Sequence, residues 1–272
     1  PEVEAVAGHS LGQLTAAWAA GCYSLESILK LAVLRGRLMQ GLPSGAMAAV
    51  RAGAEELSEI IGPYADELAI SAVNAPRQTV LSGSARAIET VLKELETRGI
   101  AASRLPTDRA FHSPLVEPLL KELARGADAL PASAPHRTWY CTRTGEAWPA
   151  DRAPPGDDWA RQAREAVRFR QTVEAIATEG CQALLELGPG ATLAPLAAEV
   201  LSYASSKASA HATLGRAKSV PAKLASAVGW LYTRGVELDW GAYFKAHGVT
   251  PRQVPLPTYP YQRQRHWLAD AH

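Results

Sequence analysis

The pentapeptide Gly8-His9-Ser10-Leu11-Gly12 is the part of this sequence best suited to covalent chemistry. A serine in Gly-x-Ser-x-Gly, between an apolar strand and a helix, forms a nucleophile elbow. The sharp turn lifts the hydroxyl clear of the sheet. Glycines two residues to either side let the chain turn without clashes. The N–H groups that open the next helix, Leu11 foremost, are then placed to stabilise an oxyanion. A serine nucleophile also needs a base. The chain has seven histidines. His9 adjoins Ser10, but neighbours on a tight turn point apart, so a structural role suits it. His112, in Ala110-Phe111-His112-Ser113-Pro114, sits in a loop before a helix and leads the candidates by position. His136, His211, His247, His266 and His272 fall in surface or tail contexts, and no acidic third member stands out.

The elements that must position these groups follow from apolar periodicity. Val3 to Ala7 reads as a strand running into Gly8. Leu14, Ala17, Trp18 and Ala20 have helical spacing. A second helix spans Leu25 to Gln40, with Ile28, Leu31, Ala32, Leu34 and Leu38 as its stripe, and Gly41, Pro43 and Gly45 end it. Residues 46–105 read β-α-β-β-α-β: strands at 46–50, 68–73, 78–82 and 100–105, helices at 54–61 and 85–97, and a turn at Asn74-Ala75-Pro76. That is the split βαβ pattern of a ferredoxin-like subdomain, inserted in a larger α/β unit. The larger unit resumes near Arg109. It has helix over 115–130, a strand at 139–142, one or two helices over 159–178, a buried strand at 183–187 running into Gly188-Pro189-Gly190, and a last strand at 211–215. A helix over 223–235 leads to a tail rich in proline and aromatics, expected to run extended with Tyr259, Tyr261 and Trp267 against a folded surface. The expected domains are 1–45 with 109–216, then 46–108, then 217–272.

Bulk properties narrow the function classes. With 272 residues, 47% hydrophobic content and a net charge of +1, the chain is long enough for a sizeable core and lacks a nucleic-acid binder's charge. The three cysteines, Cys22, Cys141 and Cys181, are far apart. They read as buried small side chains in a reducing cytoplasm, without a disulfide or metal site. No signal peptide or long apolar run appears, so a soluble protein with no membrane contact is expected.

Five segments occur in order: Gly8-His9-Ser10-Leu11-Gly12; Arg35 in Leu34-Arg35-Gly36-Arg37-Leu38-Met39; Gly45-Ala46-Met47-Ala48-Ala49-Val50; Ala110-Phe111-His112-Ser113-Pro114; and Glu186-Leu187-Gly188-Pro189-Gly190. Together they resemble the malonyl-type acyltransferase domain of modular type I polyketide synthases, over nearly the whole chain. The tail from Leu256 to Trp267 resembles the linker that follows this domain. The resemblance implies an α/β-hydrolase-like large subdomain with a parallel sheet, an inserted ferredoxin-like subdomain and a C-terminal linker. It implies Ser10 as nucleophile and His112 as general base, oriented by a backbone group and not by an aspartate. It makes Arg35, otherwise an ordinary helix arginine on a solvated face, the holder of the extender's free carboxylate. Leu11, Phe111 and His9 belong to the substrate site, and Asn74 to a supporting layer near the base, unless it is only a turn residue.

The implied reaction is ping-pong transfer from malonyl-CoA to the phosphopantetheine thiol of an acyl carrier protein, with no bound cofactor or metal. It would serve polyketide biosynthesis, including that of antibiotics. An adjacent ketosynthase domain of the same polypeptide is the other implied partner. Leu11 and Phe111 match the malonyl pattern, whereas Arg109 stands where malonyl-type members carry histidine and leaves an unusual extender open. Family members also carry a segment before the elbow that completes the oxyanion hole with a Gly-Gln-Gly motif. This chain starts just before Gly8, so the expectation is a fragment of a longer polypeptide or a chain completed by another. A serine hydrolase and a non-catalytic scaffold are the alternatives. Arg35 and the lack of an acidic third residue speak against the hydrolase.

Overall fold

A short run of small apolar residues, β1 (Ala5–Ala7), enters the elbow, and α1 (Gly12–Ala19) leaves it. The computed structural model describes residues 3–215, 220–250, 252 and 254–264. α2 (Leu25–Gln40) starts at Ser24, whose hydroxyl accepts from the Ser27 N–H at 3.1 Å. That cap satisfies one of the amides a first helical turn leaves open. The buried stripe of α2 is Ser27, Ile28, Leu31, Arg35 and Met39, so an arginine occupies a position on the apolar face.

The small subdomain comprises β2 (Ala46–Val50), α3 (Ala54–Ile61), β3 (Leu68–Ala75), β4 (Gln78–Gly83), α4 (Ala85–Thr97) and β5 (Ala102–Arg104). Its sheet is antiparallel with strand order β3-β4-β2-β5, the ferredoxin-like arrangement the sequence predicts. Ala48, Val50, Leu57, Leu81, Ile88 and Leu95 fill the space between sheet and helices. β3 runs on through Ala75, so Asn74 is a strand residue and not the predicted turn.

The larger subdomain resumes with a 3-10 turn at Pro114–Leu119 before α5 (Leu120–Asp128). The stretch expected to be mainly helical over 115–130 is this 3-10 turn continued by α5, and Pro118 within the turn has no N–H to offer a helical ladder. β6 (Thr138–Cys141) lies parallel to β1, with Val6 opposite Trp139, and β7 (Glu146–Ala147) pairs antiparallel to β6. α6 (Gly156–Arg164) and α7 (Phe169–Thr178) are two separate helices. β8 (Ala183–Glu186) and β9 (Ser209–Ala212) form a second parallel pair, joined by α8 (Leu193–Tyr203). These parallel pairs with covering helices make the larger subdomain α/β-hydrolase-like. Trp139 is its centre, with Trp148 and Trp159 at 5.0 and 6.1 Å between ring centroids. Ala72, Ala75 and Val80 on the outer face of the small subdomain's sheet pack against Val173 of α7 and Ala197 and Val200 of α8. The two subdomains thus share a core.

α9 (Val220–Tyr232) closes the unit that ends at Gly235. The described residues between Val236 and Gln264 form a second unit. It contains α10 (Trp240–Ala246), capped by the Asp239 carboxylate on the Ala242 N–H at 2.8 Å. Residues 254–264 carry no helix or strand. Tyr259 and Tyr261 were expected against a folded surface, yet both rings are largely exposed and meet each other at 5.3 Å. His266, Trp267 and His272 lie outside the described residues. Cys22 and Cys141 are buried, Cys181 is half-buried, and all three are free. Among the described residues no helix is long and apolar enough to cross a membrane, and no cluster of side chains is arranged to hold a metal.

Candidate active site

The elbow is built by close contacts that tolerate little change. A Cβ on Gly8 would lie 1.9 Å from the Gly12 carbonyl oxygen, so only glycine fits there. A Cβ on Gly12 would meet nothing within 4 Å. The expectation that both glycines relieve clashes therefore holds for Gly8 alone. Ser10 sits at φ 51°, in the left-handed region that most side chains avoid. Such strain persists only where surrounding structure over-determines it. Gly12 N–H donates to the His9 carbonyl at 2.9 Å, and Gln13 N–H to the Ser10 carbonyl at 3.1 Å. Leu11 N–H, next to Ser10, has no backbone partner among the described residues.

Two polar side chains brace the turn from below. Thr142 Oγ1 donates to the Gly8 carbonyl at 2.8 Å. Gln13 is buried. In the amide orientation that suits the nearest groups, it donates to the Gly8 carbonyl at 2.8 Å and to Thr142 Oγ1 at 3.1 Å, and accepts from Trp139 Nε1 at 3.2 Å. Neither residue was singled out from the sequence, because a lone Gln or Thr inside an element carries no signal of burial.

Ser10 Oγ lies 2.8 Å from His112 Nε2. His112 Nδ1 lies 2.9 Å from the carbonyl oxygen of Glu165. A carbonyl can only accept, so Nδ1 carries the hydrogen and Nε2 is bare, ready to accept from the serine hydroxyl. His112 is also left-handed, at φ 56°. Burial first, and then the Arg35 charge, push its pKa down to about 3, against a partial offset from backbone bonds at Glu165 and Gln162. At neutral pH it is an uncharged base.

Arg35 reaches the same point from α2. Its Nη2 donates to Ser10 Oγ at 3.4 Å. The side chain is 6% exposed, its Nε is buried without a partner, and burial holds its pKa down to about 10. Among the described residues no carboxylate pairs with it. Gln162 on α6, another residue the sequence did not flag, donates from Nε2 to the Ser10 carbonyl at 3.0 Å.

The remaining expected residues lie around this centre. Asn74 bonds His9 and not His112, with its Oδ1 2.8 Å from His9 Nε2. The His9 ring also lies 5.6 Å from Phe169, and burial lowers its pKa while Asn74 opposes the shift. Leu11 is exposed at the elbow. Phe111, next to His112, packs against the core around Trp139.

A strained serine, a bare imidazole nitrogen and a buried unpaired guanidinium fit acyl transfer. The sequence profile of the acyl transferase domain family matches residues 1–225. The chain belongs to that family. The acyltransferase domain is 42% identical over 266 residues to the polyketide synthase GfsA of Streptomyces halstedii, covering 97% of this chain and 4% of that protein. It is 37% identical over 263 residues to the phenolphthiocerol synthesis polyketide synthase type I Pks15/1 of Mycobacterium marinum, covering 96% of this chain and 12% of that one. The chain therefore spans a small fraction of these relatives. Among solved structures, the acyltransferase domain from the second module of the salinomycin polyketide synthase superposes with a TM-score of 0.84 at 34% identity, covering 96% of this chain and 60% of that one. The acyl transferase domain of SpnD, solved in complex with 2-(pent-4-yn-1-yl)malonyl, gives 0.80 at 29% identity, with 87% and 57% covered.

Proposed function

We propose that this acyltransferase moves a malonyl-type group from coenzyme A, through an ester on Ser10, to the phosphopantetheine thiol of an acyl carrier protein in polyketide assembly. Arg35 carries this reading: a guanidinium 6% exposed, without an acidic partner among the described residues, 3.4 Å from the nucleophile. Burying an unpaired charge is costly. A substrate carboxylate removes that cost, and the planar fork holds it with two hydrogen bonds. An acyl group without a carboxylate does neither. That a similar domain is described with a malonyl derivative supports the same substrate class.

The chemistry follows from the hydrogen bonds. His112 Nε2 takes the Ser10 proton as Oγ attacks the thioester carbonyl. The free Leu11 N–H serves the oxyanion. The C–S bond then breaks, and His112 returns its proton to the departing thiolate of coenzyme A. The second half runs in reverse. His112 deprotonates the carrier thiol, sulfur attacks the Ser10 ester, the C–O bond breaks, and the proton returns to Ser10. The substrate carboxylate also cancels the Arg35 charge, the second cause depressing the histidine. A correct substrate thereby strengthens its own base.

The family pattern at Leu11 and Phe111 favours malonyl over methylmalonyl: a bulky ring beside His112 would fill room an α-methyl needs. One methyl decides only about 1–3 kcal/mol, however. On this reading the reaction runs in the cytoplasm, beside a ketosynthase domain of the same polypeptide. Labelled malonyl-CoA tests the proposal. Stable label on wild-type protein that passes to a carrier protein, with none on Ser10→Ala, is the expected result. Release as free malonate would mark a hydrolase, and label persisting on Ser10→Ala would refute the nucleophile.

A further inference from the structure

The residue that orients His112 is held by a device that the acyl-transfer scheme leaves unused. Glu165 ends α6 with φ −81° and ψ 160°, an extended conformation that turns its carbonyl out of the helical ladder. That carbonyl meets His112 Nδ1 at 2.9 Å. The Glu165 side chain is gripped by Arg143, whose Nη1 lies 3.4 Å from Oε2, and by Arg161, whose Nε lies 2.7 Å from Oε1. The other arm of Arg143, Nη2, pairs with Asp158 Oδ1 at 2.5 Å. Asp158 is in the first turn of α6 and Glu165 caps its end, so one guanidinium bridges both ends of the helix. Between them Gln162 holds the Ser10 carbonyl at 3.0 Å. Asp158, Gln162 and Glu165 stand at i, i+4 and i+7, one stripe of the helix.

Arg143 is itself 9% exposed, with its Nε buried and unpartnered. An apolar side chain could hold α6 in place without burying charge. The ion triad adds a fixed direction for the chain at Glu165. Its neighbour Thr142 completes the frame. Thr142 Oγ1 holds the Gly8 carbonyl at 2.8 Å, and its own carbonyl accepts from Arg168 N–H at 2.6 Å. The dipeptide after β6 therefore fixes the nucleophile's turn with one residue and the base's orienting carbonyl with the other.

We propose that Arg143 is a positioning residue for the Ser10–His112 pair: it fixes the Glu165 main chain so that the imidazole keeps its tautomer and its aim. The proposal rests on the catalytic reading of that pair.

Single-turnover acylation by malonyl-CoA, on the full chain, tests it. Misplacing a catalytic group by an ångström can lower a rate by about 10²-fold. Arg143→Ala should lose about that factor in acylation rate with KM little changed, and added guanidinium ion should restore part of it. Glu165→Gln, which keeps the backbone carbonyl but weakens the grip, should lose less, in the same direction. It is the variant to read if Arg143→Ala fails to fold. In a His112→Ala background, Arg143→Ala should cause no further loss, because there is no ring left to aim. Unchanged acylation in folded Arg143→Ala or in Glu165→Gln would overturn the proposal while leaving the dyad intact. So would an equal fold-loss with and without His112. Full acylation by His112→Ala would instead sink the dyad reading, and this proposal with it.

Discussion

Replacing Arg35 separates two roles that the structure combines. In the free protein its guanidinium is buried, pulled down to about 10 by desolvation, and lacks a carboxylate partner among the described residues. Removing it should therefore not destabilise the fold as breaking a buried ion pair would, and Arg35→Leu should raise Tm. On the proposed reading, bound malonyl gives the guanidinium its partner. Breaking a buried pair by removing one member costs about 3–5 kcal/mol. At 1.4 kcal/mol per factor of ten, that is roughly 10²- to 4 × 10³-fold in kcat/KM for malonyl-CoA. Acetyl-CoA offers no carboxylate, so its loading should hold or improve. The assay is competition between labelled malonyl-CoA and acetyl-CoA for Ser10, for wild type, Arg35→Ala and Arg35→Leu. The ratio of the two loadings should move by the full factor. Equal losses for both acyl groups would refute the reasoning, since Arg35 would then be acting on the serine and not on the substrate.

His112 ties stability to pH. Unfolded imidazole takes a proton below about pH 6.5, whereas the folded group stays neutral until about 3, so the unfolded state binds more protons in that window. Stability should fall as pH drops from 6.5 towards 3, by about 1.4 kcal/mol per unit from this group. Urea midpoints that track pH equally in wild type and His112→Gln would contradict this. For the same reason the acylation rate should not drop in step with a normal histidine at pH 6.5, and a rate profile centred there would mean that the ring is hydrated. Gly8→Ala should abolish acylation or folding, because its Cβ has no room. Gly12→Ala should be folded and more stable by about 0.5–1 kcal/mol, as a thermal melt will show.

The periodic parts of the fold were legible because burial on one face writes a pattern into the chain. α2, α3 and α4 have the predicted bounds. Their stripes, such as Ala87, Ile88, Val91 and Leu95, leave no other helical face to bury. The β-α-β-β-α-β order likewise fixed the small subdomain, since an antiparallel sheet with two helices on one face has few topologies. Prediction failed where one residue decides locally. The pairing of β3 with β4 carries Asn74 into a strand that turn chemistry would have ended. β7 is two residues long and α10 seven, too short for periodicity to register.

At the site, legibility stops where side chains give way to backbone. Ser10 announces itself through Gly8, whose absence of a Cβ is required by the contact with Gly12. Arg35 was also readable in principle: it falls in the buried register of Ile28, Leu31 and Met39, where a charge demands a reason. The orienting partner of His112 could not be read. It is a carbonyl, which every residue has, and the side chain of Glu165 bonds elsewhere. The elbow, the histidine loop and α6 come from three distant stretches of chain. Their agreement to within hydrogen-bond distance is enforced by Thr142 and Arg143, two residues of ordinary type at the end of one strand. A sequence shows which groups could react; the strained φ angles of Ser10 and His112 show that the fold holds them against their own preferences.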